Sequence, residues 1–144
     1  MPLKKPLLMI ISVCFVLLIS VTTVFGQAYE GSFDIMGSYT SGDEKYCSIN
    51  LFPDNGVKLS PGQSLTGTLT ADASIYMAII TSMAQTVNHK GGVGCAALLG
   101  NQFYYNSGTS IQFKWTATIS ATYYVALVNN GPNEITGYLI INQA

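Results

Sequence analysis

From Ile111 to Gln143 the chain reads IQFKWTATISATYYVALVNNGPNEITGYLIINQ. Ile111, Phe113, Trp115, Ala117 and Ile119 alternate with Gln112, Lys114, Thr116 and Thr118. A period of two places the apolar set on one face of a strand and the polar set on the other. The run from Tyr123 to Asn129 is apolar on both faces, which predicts a strand flanked by two packed neighbours. Ile135, Gly137, Leu139 and Ile141 then alternate with Thr136, Tyr138 and Ile140 in a third strand. Asn129 to Asn133 between them carries the Asn, Gly and Pro residues of a turn.

The preceding chain follows the same rhythm. Tyr29 to Thr40 predicts a first strand through Phe33, Ile35 and Tyr39, at a sheet edge and with a bulge near Gly37. Ser41 to Glu44 reads as a turn, and Lys45 to Phe52 as a strand with Cys47, Ile49 and Leu51 on one face. Pro53-Asp54-Asn55-Gly56 is a strong turn signal, because Pro presets φ and Asn-Gly tolerates positive φ. It lacks the further carboxylates of a calcium loop. A short Val57–Leu59 piece, a turn at Ser60–Gln63 and the alternating Ser64–Thr70 follow. Asp72 marks another turn. Ser74 to Met83 is the most apolar segment and is expected at the centre of a sheet. Gln85 to Gly94 is the longest loop, and Cys95 to Leu99 is a strand or one helical turn. Gln102 to Tyr105 ends in a turn at Asn106–Thr109. Short strands with turns every eight to twelve residues predict an all-β fold, a two-sheet antiparallel β-sandwich of seven to nine strands. Only stacking hides every apolar face at once. Trp115 is expected to be its main core filler.

The first 26 residues follow a different pattern. Lys4 and Lys5 precede an apolar run from Leu7 to Ile19, which weakens toward Phe25. This is the plan of a secretory signal peptide, with Val24 and Gly26 suited to the −3 and −1 positions. An uncleaved membrane anchor over residues 7–25 is the alternative. Both place residues 27–144, a single β domain, on the far side of a membrane. Export changes the cysteine chemistry. Cys47 and Cys95 are then expected to form a disulfide. With His89 they fall one ligand short of a closed zinc site.

Charged residues make up 9% of the chain and arginine is absent. Beyond residue 26, four lysines face seven carboxylates, a net charge of −3. The concentrated basic surface that nucleic acid requires is missing. The carboxylates are scattered over turns, and a Ser/His/Asp site would have to use His89 and Asp72 without a GxSxG elbow. The expectation is a non-enzyme without a cofactor or metal.

The stretches LSPGQSLTGTLT (Leu59 to Thr70), Ile75 to Ile80 and TYYVALVNNGPNEITGYLII (Thr122 to Ile141) resemble a β-sandwich module of secreted archaeal and bacterial proteins. Pro61-Gly62, Gly67, Tyr123-Tyr124, Asn129 and Ile135–Ile141 carry the likeness. Such modules are similar to the GOLD/p24-like luminal domain and to bacterial pre-peptidase C-terminal domains. The resemblance implies a binding or accessory module without catalytic residues.

Two roles follow as expectations. The first is an extracellular or cell-surface protein that associates with protein partners or with itself, through sheet edges or by donating Gln27 to Thr40 to a neighbour. The second is a carbohydrate- or ligand-binding module. Its surface would combine Phe103, Tyr104 and Tyr105 with the loop holding His89 and Lys90. Membrane contact is expected only through residues 7–25, if that segment is uncleaved.

Overall fold

The computed structural model describes residues 26–81 and 102–144, apart from the side chain of Glu44. Residues 1–25 of the expected signal or anchor segment, loop 85–94 with His89 and Lys90, and the expected Cys95–Leu99 element lie outside the described residues. Eight strands follow in order: β1 (Gly26–Ile35), β2 (Tyr39–Ser41), β3 (Glu44–Tyr46), β4 (Ser48–Leu59), β5 (Ser64–Thr81), β6 (Tyr104–Thr116), β7 (Ala121–Asn129) and β8 (Ile135–Gln143). The described residues are all-β and contain no helix.

Six strands form one curled antiparallel sheet, and β2 and β3 form a separate two-stranded ribbon. The sheet runs β1-β8-β5-β7-β4, with β6 on the other side of β5. β5 is the organising element. Its first half pairs with β8 from Leu65↔Gln143 to Ala71↔Gly137. Its second half pairs with β7 from Tyr76↔Val128 to Thr81↔Tyr123. β6 follows it on the opposite edge through both halves.

The inner face holds one core. Leu65, Leu69, Ile75, Met77 and Ile79 of β5 meet Phe33 and Ile35 of β1, Val57 and Leu59 of β4, and Ile111 and Phe113 of β6. Tyr123, Val125 and Leu127 of β7 and Ile135, Leu139 and Ile141 of β8 complete it. β7 lies between β4 and β5 and is buried on both faces from Tyr123 to Asn129, as its unbroken apolar run predicts. Its outward residues Tyr124 and Ala126 join Ala78 and Ile80 in a second, smaller buried cluster flanked by Ile49 and Leu51.

Three expected turns lie inside continuous strands, two of them as bulges. Pro53 to Gly56 lies within β4, where Phe52 pairs with Val125 and Val57 with Tyr123, so four residues oppose Tyr124 alone. Gly56 takes the positive φ of 67° that this excursion needs. Asp72 sits at the bend of β5, between the pairs Thr70↔Ser110 and Ile75↔Gly108. Its carboxylate accepts from the backbone N–H (3.0 Å) and hydroxyl (3.2 Å) of Thr136. Asn106 to Thr109 also belongs to one unbroken strand, β6, with Gly108 at φ 149°. In each case the flanking segments meet the same neighbouring strand, so turn chemistry produces a kink instead of a reversal. Ile119 departs from the core pattern because β6 ends at Thr116, which leaves it 51% exposed. Trp115 is half-buried and packs at the margin of the core instead of filling it.

Two glycines permit the tightest strand contacts. A Cβ on Gly67 would lie 2.0 Å from the carbonyl oxygen of Ile140 and 2.6 Å from the Phe113 ring. One on Gly137 would lie 2.1 Å from the carbonyl oxygen of Thr70 and 2.5 Å from the Phe33 ring. The registers pair Gly67 with Phe113 and Gly137 with Phe33, so each phenyl ring covers the glycine opposite it. Asn129 is the buried polar side chain of the described core, 1% exposed. Its amide nitrogen donates to the carbonyls of Ile35 (3.2 Å), Met36 (3.1 Å) and Asn133 (2.7 Å). Its oxygen accepts from the N–H of Gly131 (3.0 Å). One side chain thus ties the end of β1 to the β7–β8 turn.

Gly67→Ala and Gly137→Ala are each expected to cost about 1–3 kcal/mol by overpacking, read as a lower urea midpoint at unchanged slope. Asn129→Leu strands several buried backbone groups and is expected to cost about 2–4 kcal/mol. An unchanged midpoint would show that the Asn129 bonds contribute nothing net.

Candidate functional site

The three consecutive aromatic residues expected to form a surface do not share one. Tyr104 pairs with Ile79, is half-buried against the core, and its ring centroid lies 6.5 Å from that of Phe113. Tyr105 points to the opposite face by strand alternation. Phe103 precedes β6, and its N–H donates to the carbonyl of Ile79 at 2.9 Å. Its ring packs at 5.7 Å from Trp115 and edge-on at 5.5 Å from Tyr123. Trp115 and Tyr123 are themselves 4.8 Å apart. These three rings form an aromatic cluster at the end of the core. His89 and Lys90 lie outside the described residues, so no geometry joins them to the aromatic group.

Tyr105 has a different partner, Tyr76 of β5, which the sequence reading did not single out. The rings stack at 5.9 Å with 21° between their planes, and both are about two-fifths exposed. Tyr76 shares a face with Ala78 and Ile80, so the period-two pattern of β5 already carried the signal. A second stacked pair, Tyr39 and Tyr46, lies on the β2–β3 ribbon at 5.2 Å and 14°. Beside that ribbon is an open cleft of about 430 Å³, lined by Asp34, Met36, Tyr39, Cys47, Ser48, Ile49 and Asn50. Two of its polar side chains serve backbone groups. The Ser48 hydroxyl donates to the carbonyl of Gly37 (3.1 Å) and the Asn50 amide to that of Asp34 (3.3 Å).

Cys47 is buried, 4% exposed, and is not a free thiol. Among the described residues, no group of three or more His, Cys, Asp or Glu side chains is placed to hold a metal ion. Asp72, the one carboxylate considered for a Ser/His/Asp site, is engaged with Thr136.

Two tyrosines are electrostatically displaced. Burial pushes the Tyr123 phenol above its ordinary pKa of 10.0, partly offset by its hydrogen bond to the carbonyl of Ile119 at 2.8 Å. Tyr138 is raised by donating to the Glu30 carboxylate at 3.0 Å, with smaller contributions from burial and nearby charge. Glu30 also accepts from the side-chain amide of Gln27. The Tyr138–Glu30 bond links β8 to β1, and the Tyr123–Ile119 bond ties β7 to the connection before it.

No protein-family model matches the chain, and no match is found among curated proteins.

The raised pKa of Tyr123 fixes the sign of an alkaline effect. The folded state holds the phenolic proton more tightly, so this contribution is complete below about pH 10 and is lost as pH climbs through the raised value. The thermal midpoint of the native chain is expected to fall more steeply above about pH 10 than that of Tyr123→Phe. Parallel pH profiles would remove Tyr123 as the cause.

Proposed function

We propose that the chain is a non-catalytic, extracytoplasmic β-sandwich module acting in protein–protein association. The observation that carries the associative role is the edge of β6. This 13-residue strand has β5 as its single strand partner among the described residues. With no further strand beside it among the described residues, its far edge would offer backbone donors and acceptors to an incoming strand. The polar side chains beside it, Gln112 and Thr116, are uncharged, with Lys114 as the local guard. A surface poor in charge offers weak repulsion to an approaching copy.

The donor strand differs from the sequence expectation. Residues 26–35 are paired along β8, with Phe33 4% exposed and Ile35 0% exposed, so this part of the expected donor segment is engaged in its own sheet. The sandwich reading treats the curled sheet as two layers joined through β5 and β6. It is supported by the shared core of β1 and β8 with β4 and β7, and by Tyr29 and Phe33 of β1 meeting the Phe52 ring of β4 at 5.1 and 6.3 Å. The module reading also agrees with the likeness to GOLD/p24-like and pre-peptidase C-terminal domains. Export through the N-terminal signal or anchor and a Cys47–Cys95 disulfide belong to the same proposal. Intact mass before and after reduction tests both cleavage and the bond.

The exposed Tyr76–Tyr105 pair favours a second reading, a flat aromatic surface for a carbohydrate ring. Loss of oligosaccharide binding in Tyr105→Ala would support it, and absence of binding by the native protein would remove it.

Sedimentation velocity tests the association. The native protein is expected to self-associate with rising concentration, and Gln112→Lys beside Lys114 is expected to weaken that association about tenfold or more, the equivalent of about 1.4 kcal/mol. A native protein that stays monomeric at high concentration, and shows no partner-dependent change at β6, would overturn the reading.

A further inference from the structure

We propose that Asn55 is a site of spontaneous covalent modification, where the folded chain converts a side-chain amide into aspartate and isoaspartate. The dipeptide Asn-Gly occurs twice, at Asn55-Gly56 and Asn130-Gly131. In it the backbone nitrogen that follows the amide is least shielded, because glycine has no Cβ. That nitrogen attacks Cγ of the Asn side chain and closes a five-membered succinimide. The amide nitrogen leaves as ammonia, taking with it the proton that the backbone nitrogen loses. Water then opens the ring. Addition at the side-chain carbonyl gives aspartate, and addition at the main-chain carbonyl gives isoaspartate, with the chain running through the former side chain. No oxidation or reduction is involved.

The structure treats the two Asn-Gly sites differently. At Asn130 the attacking nitrogen is occupied: the Gly131 N–H donates to Asn129 Oδ1 at 3.0 Å. The Gly131 carbonyl accepts from the N–H of Ser38 at 2.7 Å. Asn129 in turn holds the carbonyls of Ile35, Met36 and Asn133. Attack at Asn130 must therefore disturb the anchor between β1 and the β7–β8 turn. The Asn130 side-chain oxygen is also buried without a hydrogen-bond partner, which keeps ring-opening water away. Asn106-Ser107 is hindered as well. Serine adds a Cβ, its N–H already donates to Asn106 Oδ1 at 2.8 Å, and both residues are in register with β5.

Asn55 has none of these restraints. It is exposed, and its side chain makes no hydrogen bond among the described residues. It lies in the 53–56 excursion, which falls outside the β4–β7 register. Solvent can reach the amide, accept the proton and open the ring.

The two products differ in what they do to the sheet. Both add one negative charge to a chain whose formal net charge is −1. Isoaspartate also inserts a methylene into the backbone directly before Gly56. That glycine is closely packed: a Cβ on it would lie 2.5 Å from Thr122 Cγ2 and 2.8 Å from the Tyr124 ring. The lengthened backbone has no room on that side, so isoaspartate loosens the contact of β4 with β7, whereas aspartate keeps it.

Peptide mapping of the full-length protein, aged in neutral buffer made with heavy-oxygen water, tests this. Aspartate and isoaspartate are both expected at Asn55, each carrying solvent oxygen. With each site referenced to its own rate in denaturant, folding is expected to slow Asn130 about tenfold or more relative to Asn55. Equal slowing at the two sites, or aspartate without isoaspartate, would overturn the proposal. Asn55→Asp carries the same charge without the added methylene. Its thermal midpoint is expected to stay near that of the unaged protein and above that of the isoaspartyl fraction, separated by anion exchange. Equal midpoints for the two would overturn the loosening of β4 from β7.

Discussion

The fold depends on one strand serving two neighbourhoods. β5 gives its first half to β8 and its second half to β7, while β6 stays with it throughout. A straight strand of 18 residues would run roughly 60 Å and could not fold its ends over a common core. The irregularity between Thr70 and Ile75 bends it, and Asp72 secures the bend by accepting two hydrogen bonds from Thr136. Because Leu65, Leu69, Ile75, Met77 and Ile79 keep one parity across the bend, the inner face remains continuous. The curl of the sheet and the unity of the core are therefore one consequence.

Close approach elsewhere follows from that curl. Where β5 meets β6 and where β8 meets β1, glycine stands opposite phenylalanine, and the ring takes the space a side chain would have occupied. At the far end the chain closes with a polar device. Asn129 satisfies carbonyls that the end of β1 and the β7–β8 turn cannot satisfy with each other. Buried backbone groups left unpaired are costly, so a single amide does the work of a short missing ladder.

The proposed associative role draws on what this arrangement leaves open. Curling brings β1 and β4 toward each other, with the Asn50 amide bonded to the carbonyl of Asp34. β6 has no comparable neighbour among the described residues. The aromatic residues divide accordingly: Phe103, Trp115 and Tyr123 seal the end of the core, while Tyr76 and Tyr105 stand on the outside. A low density of charge makes backbone pairing and aromatic contact the main means available to such a surface.

Residue order alone determined the all-β class, the two buried faces of β7, the inner parity of β8, and the alternation of the first half of β5. These follow from a period of two, which needs no knowledge of partners. Turn residues were legible as chemistry but not as topology. Pro53 to Gly56, Asp72 and Asn106 to Thr109 each favour a change of direction, yet whether a kink reverses the chain depends on which strand receives the next segment. The residues of the candidate aromatic surface are divided in the structure: alternation turns Tyr105 away from Tyr104, and Phe103, ahead of β6, packs with Trp115 and Tyr123. Only the tertiary structure decided that Tyr105 stacks on Tyr76, that Trp115 lies at the margin, and that β6 has β5 as its single strand partner among the described residues, because pairing between distant strands is set by the closure of the whole sheet.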